Sequence, residues 1–377
     1  MSSLYFDNAA TSFPKPQCVY KAVNNALKYC TGNPGRSGHG HSLASSNTIY
    51  EARCKIAELF DADDPSRVIF SLNGTAAINT AVFGLPSSCK NILISDVEHN
   101  CVYRSVVERC RRNGGKFSVF KTFYDKNETI AAFKNAVKDR IDAVVVNGAS
   151  NVDGRVLPIE EIGIRCKKLN IPYVIDASQL AGHFPISFKR SNCDFLCCTG
   201  HKGLFGPMGC GFAILSDKGK DMLPLIYGGN GLNSSDAFVG SDIPERFESG
   251  TLPVLGIAGL SAGVDHILKN DIKEKHDRYQ SLISAFVNDI SENRNLKIYH
   301  AHGGCPIISI THNSVGAESI AEYLWKNGVA VRAGLHCAPL AHQAVGTADI
   351  GTVRFSFSEF NTVSDCKYVA SLLNKLR

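Results

Sequence analysis

The stretch that decides the fold lies just past the middle of the chain and reads Asp194-Phe195-Leu196-Cys197-Cys198-Thr199-Gly200-His201-Lys202-Gly203. Its first half is a short apolar run, which is typical of a strand that is buried on both faces. Lys202 and several glycines follow where that strand would end. Open α/β sheets bind ligands beyond the carboxyl ends of their strands, so Lys202 is placed to form an imine with an aldehyde cofactor. On this stretch alone, a solvated lysine beside a surface turn is an equally good interpretation.

Two other apolar runs end in polar residues in the same way. Residues 173–175 lead into Asp176 and Gln179, and residues 143–146 lead towards Asn151. The segment between these runs has a helical pattern, which gives the strand–helix–strand alternation of a parallel sheet. We therefore expect the three strands to place these side chains and Lys202 along one edge of a sheet.

Pyridoxal phosphate needs the groups that would meet at this edge. A lysine carries its aldehyde, and an anionic Asp176 would keep its pyridine nitrogen protonated so that the ring can accept electrons. The neutral amide of Gln179 can hydrogen-bond the ring oxygen. An aspartate at a strand end is often only a cap of a turn or helix. That interpretation is weaker when three such strand ends coincide.

A possible phosphate site lies earlier in the chain. Residues 67–71 have a strand pattern, Gly74 and Thr75 follow in a turn, and residues 76–83 have a helical pattern. A helix N-terminus after a glycine turn binds anions through free N–H groups and the helix dipole. Thr75 alone could equally be a simple N-cap.

These residues resemble a known family. The chain resembles the class V aminotransferase group of fold-type I enzymes that depend on pyridoxal phosphate, and within that group the cysteine desulfurase and selenocysteine lyase branch. The segments that carry the resemblance are Tyr5-Phe6-Asp7-Asn8-Ala9-Ala10-Thr11, Asn73-Gly74-Thr75, Glu98-His99-Asn100, Ser150-Asn151-Val152-Asp153-Gly154, Asp176-Ala177-Ser178-Gln179, Thr199-Gly200-His201-Lys202, Glu248-Ser249-Gly250-Thr251 and Val331-Arg332-Ala333-Gly334-Leu335-His336-Cys337-Ala338.

The resemblance implies an α/β fold with two domains. Residues 1–15 would pack near the active site or the small domain. Residues 16–256 would form a large cofactor-binding domain with a mostly parallel seven-stranded sheet. Residues 257–377 would form a smaller C-terminal α/β domain that carries the catalytic cysteine, and the protein would be a homodimer.

For the cofactor ring, the resemblance implies a role for each of five side chains. Lys202 matches the Schiff-base lysine, Asp176 the partner of the pyridine nitrogen, and Gln179 the partner of the ring oxygen. His99 matches the imidazole that stacks on the ring. Asn151 matches an amide near the ring and the substrate carboxylate.

For the cofactor phosphate, the resemblance implies contacts from four residues of one subunit and one residue of the other. Gly74, Thr75, Thr199 and His201 match the contacts within the subunit. Thr251 matches a contact supplied across the dimer.

For the substrate, the resemblance implies that Arg354 clamps the carboxylate, for which a guanidinium fork is well suited. Arg36 is a second candidate at the mouth of the site. Cys337 matches the nucleophile whose thiolate takes the sulfur. Although the chain has 14 cysteines, Cys337 has Arg332 and His336 nearby, and a cation or imidazole favours the thiolate. An inert buried thiol is the alternative interpretation.

The implied activity is that of a cysteine desulfurase, a sulfurtransferase that depends on pyridoxal phosphate. It would convert L-cysteine to L-alanine and form a persulfide on Cys337 for delivery to an acceptor protein. The segment around Cys337 resembles the second group of desulfurases, whereas residues 248–254 are more similar to the first. Selenocysteine lyase, a sulfur-delivery protein that is active mainly with a partner, and a transaminase remain alternatives.

The composition fits an enzyme of the cytoplasm. The chain has 377 residues, 44% apolar and 20% charged, with a net charge of +5. We expect no membrane span and no secretory signal, since a long apolar run is absent and the first residues are not basic. The mild, spread charge argues against nucleic-acid binding. His336 and His342 flank Cys337 without metal-ligand spacing, so we expect no metal.

Overall fold

The computed structural model describes residues 3–35, 37–229, 235, 237–238 and 240–376. Arg36 and most of residues 228–235 therefore lie outside the described residues. The strands are β1 Leu4–Tyr5, β2 Val68–Ser71, β3 Asn91–Ser95, β4 Lys116–Phe120, β5 Ala143–Asn147, β6 Tyr173–Asp176, β7 Phe195–Thr199, β8 Gly211–Leu215, β9 Leu296–Tyr299, β10 Ile307–His312, β11 Val329–Ala330, β12 Arg332–Gly334 and β13 Thr352–Ser356.

The helices cover both faces of the sheets and connect the strands. They are α1 Gln17–Tyr29, α2 Gly40–Leu59, α3 Gly74–Gly84, α4 Asn100–Asn113, α5 Lys126–Ala136, α6 Ile159–Leu169, α7 Phe188–Ser191, α8 Val254–Leu268, α9 Ile272–Ile290, α10 Ala317–Lys326, α11 Pro339–Val345 and α12 Val363–Leu373.

In the described part of the chain, a seven-stranded sheet has the order β2-β8-β7-β6-β5-β3-β4. β8 runs antiparallel to β2 and β7, and the other neighbours pair in parallel. The predicted mostly parallel seven-stranded sheet is thus confirmed. The carboxyl ends of β2, β3, β5, β6 and β7 all lie at one edge, where a parallel sheet binds ligands.

The central strands are apolar on both faces because helices cover both sides of the sheet. Val144 and Val146 of β5 pack into one hydrophobic cluster, whereas Val145 between them packs into the other. Helices α2, α6 and α8 contribute to the first cluster, and α3 and α4 to the second. This two-sided burial fixes the register of the strands and hence the positions of the residues at their ends.

A second, four-stranded sheet has the order β12-β13-β10-β9 and is antiparallel. It has its own hydrophobic cluster, which includes residues of α9, α10 and α12. β11 is not part of this sheet and pairs in parallel with β1. Residues from the beginning of the chain are therefore built into the C-terminal unit.

Two consecutive helices, α8 and α9, follow the seven-stranded sheet along the chain. α8 packs against α1 and α2, and its apolar residues belong to the cluster of the large sheet. α9 begins after Asp271, whose side chain accepts a hydrogen bond from the N–H of Lys273, and it packs against α12. Where the chain divides into domains stays a prediction.

We expect the substitution Phe286→Ala to destabilise the C-terminal unit strongly. Phe286 is fully buried, with its ring 5.1 Å from Phe355 and 5.7 Å from Phe357. Removal of a buried aromatic ring leaves a cavity and costs roughly 3–5 kcal/mol. Urea unfolding followed by far-UV circular dichroism measures the change.

The matched control is Ile164→Ala, since Ile164 is 60% exposed on α6. It should change the free energy of unfolding by no more than about 0.5 kcal/mol. Equal effects of the two substitutions would contradict the packing described here.

Candidate active site

A cavity of about 230 Å³ lies at the carboxyl edge of the seven-stranded sheet. Residues after five strands and two arginines of the C-terminal unit line it. The sequence-predicted residues among them are Gly74, Thr75, His99, Asn151, Asp176, Gln179, Thr199, His201, Lys202 and Arg354. The structure thus brings together the side chains that the sequence placed at separate strand ends.

Lys202 extends into this cavity from a tight turn after β7. The turn is closed by hydrogen bonds from the N–H of Gly206 to the carbonyl of Gly200 (2.8 Å) and from the N–H of Phe205 to the carbonyl of Lys202 (2.9 Å). Burial lowers the pKa of Lys202, and the charge of Asp176 partly opposes that shift. A larger share of its amine is therefore neutral, which is the form that attacks an aldehyde.

Asp176, at the end of β6, faces the cavity with both carboxylate oxygens held. Oδ1 accepts a hydrogen bond from the N–H of Ser178 (2.9 Å), and Oδ2 accepts one from the thiol of Cys101 (3.2 Å). The side-chain amide of Gln179 donates to the carbonyl of Ala9 (3.0 Å). Its second N–H remains able to donate to a ligand.

His99 caps the N-terminus of α4, where its Nδ1 accepts a hydrogen bond from the N–H of Cys101 (3.1 Å). Burial lowers the pKa of His99 to about 4, and the neighbouring Lys202 adds to the shift. The imidazole is therefore neutral at pH 7. In that state it can stack on an aromatic ring and exchange a proton through Nε2.

The first turn of α3 forms an anion cradle. A Cβ on Gly74 would lie 2.9 Å from Oγ of Ser178 and 3.2 Å from Cβ of Thr199, so glycine leaves space that a side chain would fill. Oγ1 of Thr199 and Nδ1 of His201 are buried and have no hydrogen-bond partner among the described residues. Free donors beside a helix N-terminus are what a phosphate requires.

Arg354 reaches the cavity from β13 and is completely buried. Its Nη2 donates to Oδ1 of Asp7 (2.9 Å) and its Nη1 donates to the carbonyl of Asn151 (3.1 Å). Burial lowers the pKa of Arg354, which the charge of Asp7 opposes. A guanidinium fixed in this way can receive a carboxylate without first losing rotational freedom.

Cys337 lies on the short turn between β12 and α11. Its thiol is exposed, and Nη2 of Arg332 lies 3.3 Å from the sulfur. The carbonyl of Cys337 accepts a hydrogen bond from the N–H of Asn100 (2.7 Å), and the preceding carbonyl of His336 accepts one from the amide of Asn151 (2.7 Å). Both His336 and Cys337 have positive φ values, 47° and 57°, which side-chain-bearing residues seldom adopt. These hydrogen bonds fix the backbone that carries the thiol.

The thiol opens into a groove next to the main cavity. The groove has a volume of about 510 Å³, and Thr75, His99 and Cys101 line both spaces. The cavity at Lys202 and the groove at Cys337 therefore adjoin at these three residues.

The expectation that an imidazole assists Cys337 needs a correction. Nε2 of His336 pairs with Oγ1 of Thr352 (2.8 Å), so the ring points into the protein. Burial lowers the pKa of His336 to about 2, hence this ring carries no positive charge at neutral pH. The cation beside the sulfur is Arg332.

Of the two remaining predicted residues, one lines a separate cavity and the other is outside the described residues. Thr251 is exposed and lines a separate cavity, where its Oγ1 accepts a weak hydrogen bond from the amide of Asn33 (3.4 Å). Within one subunit it does not reach the main cavity, and its predicted contact across a dimer stays a prediction. Arg36 lies outside the described residues. In the described ranges, no group of three or more His, Cys, Asp or Glu side chains could hold a metal ion.

Sequence reasoning missed four residues at the site. Ser178 stands inside a quoted motif, and Asn147 ends β5, so the rule of polar residues at strand ends could have found both. Arg332 was noted only as a neighbour of Cys337. For Cys101 the sequence carries no signal, since its contact with Asp176 depends on how α4 packs against β6.

The sequence model of the aminotransferase class-V family matches residues 4–369 of the chain. The chain belongs to the aminotransferase class-V family. A relative from Borreliella burgdorferi that is named a probable cysteine desulfurase is 30% identical over 95% of this chain and 88% of its own length. One from Methanothermobacter thermautotrophicus with the same name is 28% identical over 99% of this chain and 94% of its own.

A solved structure agrees with these relatives. The apo structure of a cysteine desulfurase from Thermococcus onnurineus superposes with a TM-score of 0.92 at 25% identity, covering 99% of this chain and 94% of that one. The family that the motifs indicated is therefore confirmed, as is its fold. The cysteine desulfurase name recurs across these matches.

Proposed function

We propose that the protein is a cysteine desulfurase that uses pyridoxal phosphate, converts L-cysteine to L-alanine and takes the sulfur onto Cys337. The observation that carries the proposal is the exposed Cys337, whose sulfur lies beside Arg332 in a groove that adjoins the cavity containing Lys202. A transaminase needs the lysine and the cavity but has no use for a nucleophilic thiol at its mouth.

The residues of the cavity fit pyridoxal phosphate. The buried, unpartnered hydroxyl of Thr199 and imidazole nitrogen of His201, beside the space left by Gly74, suit its phosphate. Asp176 and Gln179 suit the ring nitrogen and ring oxygen, and Lys202 suits the aldehyde. When bound, the cofactor holds the substrate amine covalently and takes up electron density from the adjacent carbon.

The protein side chains then have distinct tasks. Arg354 and the amide of Asn151 orient the substrate carboxylate. The neutral imidazole of His99 and the amine of Lys202 move protons at the substrate Cα. Arg332 stabilises negative charge on the sulfur of Cys337, since its guanidinium lies 3.3 Å away.

The sulfur transfer moves electrons in pairs and needs no external oxidant. The thiolate of Cys337 forms a bond to the cysteine sulfur while the carbon–sulfur bond breaks. The electron pair of the broken bond stays with the carbon, which is protonated to give alanine. The product on the enzyme is a persulfide, whose outer sulfur atom an acceptor thiol can take up in a later exchange.

The test is alanine release from L-cysteine in the presence of pyridoxal phosphate and excess reductant. A parallel reaction without reductant, which would cleave a persulfide, is used to detect the persulfide by mass spectrometry of the protein. Equal amounts of alanine and of transferred sulfur are expected. Release of pyruvate or of a transaminated keto acid instead would contradict the proposal. A parallel assay with L-selenocysteine determines which substrate is preferred.

Partners and location form a further part of the proposal. We expect a sulfur-acceptor protein and a homodimer in which Thr251 reaches the partner's cofactor phosphate. Thr251 is exposed and shares its cavity with Tyr50, whose side chain is 63% exposed; such an exposed aromatic ring suits an interface between copies.

None of the helices in the described ranges combines the length and apolarity that a bilayer crossing requires. A cytoplasmic location stays a prediction.

We expect Gly74→Ala to weaken binding of pyridoxal phosphate by about 10-fold or more, because a new Cβ would displace Ser178 or Thr199 from the anion cradle. Equilibrium dialysis of the apoprotein measures the dissociation constant. Gly316→Ala is the control, since a Cβ there would meet nothing within 4 Å. Unchanged binding by Gly74→Ala would remove the cradle as the phosphate site.

A further inference from the structure

The thiol of Cys101 lies inside the cavity and has no task in the mechanism above. Cys101 is in the first turn of α4, and its Sγ lies 3.2 Å from Oδ2 of Asp176. Burial raises the pKa of Cys101 well above its usual value, and the negative charge of Asp176 adds to the shift. The hydrogen therefore stays on the sulfur, and Cys101 donates it to the carboxylate.

This contact completes the fixation of the carboxylate. Oδ1 is already held by the N–H of Ser178 at 2.9 Å, a backbone donor that cannot rotate away. With that contact alone, the carboxylate could still turn about its Cβ–Cγ bond. The second donor, on the other oxygen, fixes the plane of the carboxylate and leaves one lone pair on each oxygen free for a ligand.

Among the described residues, no other side chain is observed to donate to Asp176. Oδ1 of Asn147 lines the same cavity and is buried without a hydrogen-bond partner there, and the side-chain N–H of Asn147 donates to the carbonyl of Val97. Burial raises the pKa of Glu98 to about 8, and the Glu98 oxygens contact Ser95 and the N–H of Asn147 rather than Asp176. Cys101 is thus the side-chain donor observed on this carboxylate.

We propose that Cys101 is a positioning residue whose thiol orients Asp176 towards the ring nitrogen of pyridoxal phosphate. The inference rests on the proposed function, because it requires the cofactor to occupy the cavity. It extends that function by assigning a task to a cysteine that does not accept the sulfur transferred from the substrate.

The test compares three substitutions at Cys101 with the parent protein. Cys101→Ala removes the donor and leaves a small void, Cys101→Val fills the volume without a donor, and Cys101→Ser keeps a donor. Cys110→Ala is the matched control, because Cys110 is a buried cysteine on the same helix whose packing lies in the hydrophobic cluster away from Asp176.

Two readouts that do not depend on turnover are measured. The dissociation constant of pyridoxal phosphate, determined by equilibrium dialysis of the apoprotein, should rise ~3- to 10-fold for the Ala and Val variants and stay within ~2-fold for Ser. The pH midpoint of the visible absorption band of the bound cofactor should rise by roughly half a unit for Ala and Val. If Asp176 is poorly oriented, the pyridine nitrogen of the cofactor holds its proton less firmly. The positive charge on the ring then decreases, and the imine nitrogen keeps its own proton to higher pH.

The possible outcomes separate the inference from the function on which it rests. Parent-like constants and midpoints for Ala and Val would overturn the role of Cys101 alone. Equal losses for Ser and Ala would also overturn it, since volume rather than a hydrogen bond would then matter. If the Ala variant does not fold, the Val and Ser pair decides. A parent protein that does not bind pyridoxal phosphate would overturn both.

Discussion

The substitution Cys337→Ser should lower the rate of alanine release from L-cysteine by roughly two to four orders of magnitude, because a hydroxyl is a far weaker nucleophile towards sulfur than a thiolate. Cofactor binding should not change, since the side chain of Cys337 lies in the adjoining groove and does not line the main cavity. The result is measured as alanine formed per minute, together with the absorbance of the bound cofactor. The mass of the protein after reaction should show added sulfur in the parent and none in the variant.

Cys18→Ser is the control for this experiment. In the described part of the chain, Cys18 and Cys337 are the exposed cysteines. Cys18 lies on α1, outside the cavity. Its substitution should leave alanine release unchanged. Normal turnover by Cys337→Ser would show that another group accepts the sulfur.

The substitution Lys202→Ala should abolish covalent attachment of the cofactor and reduce activity by at least ~1,000-fold, because the amine that holds the aldehyde is lost. Borohydride reduction of the loaded parent should fix the cofactor on Lys202, where peptide mass spectrometry locates it. The variant should show no such adduct.

A second lysine provides a demanding control. Burial lowers the pKa of Lys15 to about 8, so its amine is also reactive near neutral pH. Its Nζ donates to Ser12 and does not line the cavity. Lys15→Ala should therefore keep the adduct on Lys202. An adduct found on Lys15 of the parent would mean that low pKa alone, without the cavity, selects the site.

The sequence predicts the site well wherever position along a strand determines the outcome. Asp176 and Lys202 follow apolar strands that pair in parallel, so their meeting follows from strand register. The apolar run at residues 143–146 and the helical pattern that follows it correspond to β5 and α6 for the same reason, since apolar periodicity is strong there.

The sequence fails where a contact depends on how separate elements pack. Periodicity cannot show that His336 turns inward to Thr352 or that Arg332 turns towards Cys337, because these residues alternate along one short segment. It also gives no sign that β11 pairs with β1, which lies more than three hundred residues earlier. The sequence also gives no clear sign of the break between α8 and α9, because their junction, residues 269–271, contains neither Gly nor Pro.

The pairing of β1 with β11 also constrains when the cavity can form during synthesis. Phe6 packs among residues of the C-terminal unit, and Asp7 forms an ion pair with Arg354. The carbonyl of Ala9 accepts a hydrogen bond from the side-chain amide of Gln179. These contacts join residues separated by up to several hundred positions, and such non-local contacts form late because long loops must close first. The ribosome must therefore release β13 before Phe6 and Asp7 can find these partners, whereas Gln179 is available to Ala9 earlier. A nascent chain that already has its seven-stranded sheet would still lack one wall of the cavity.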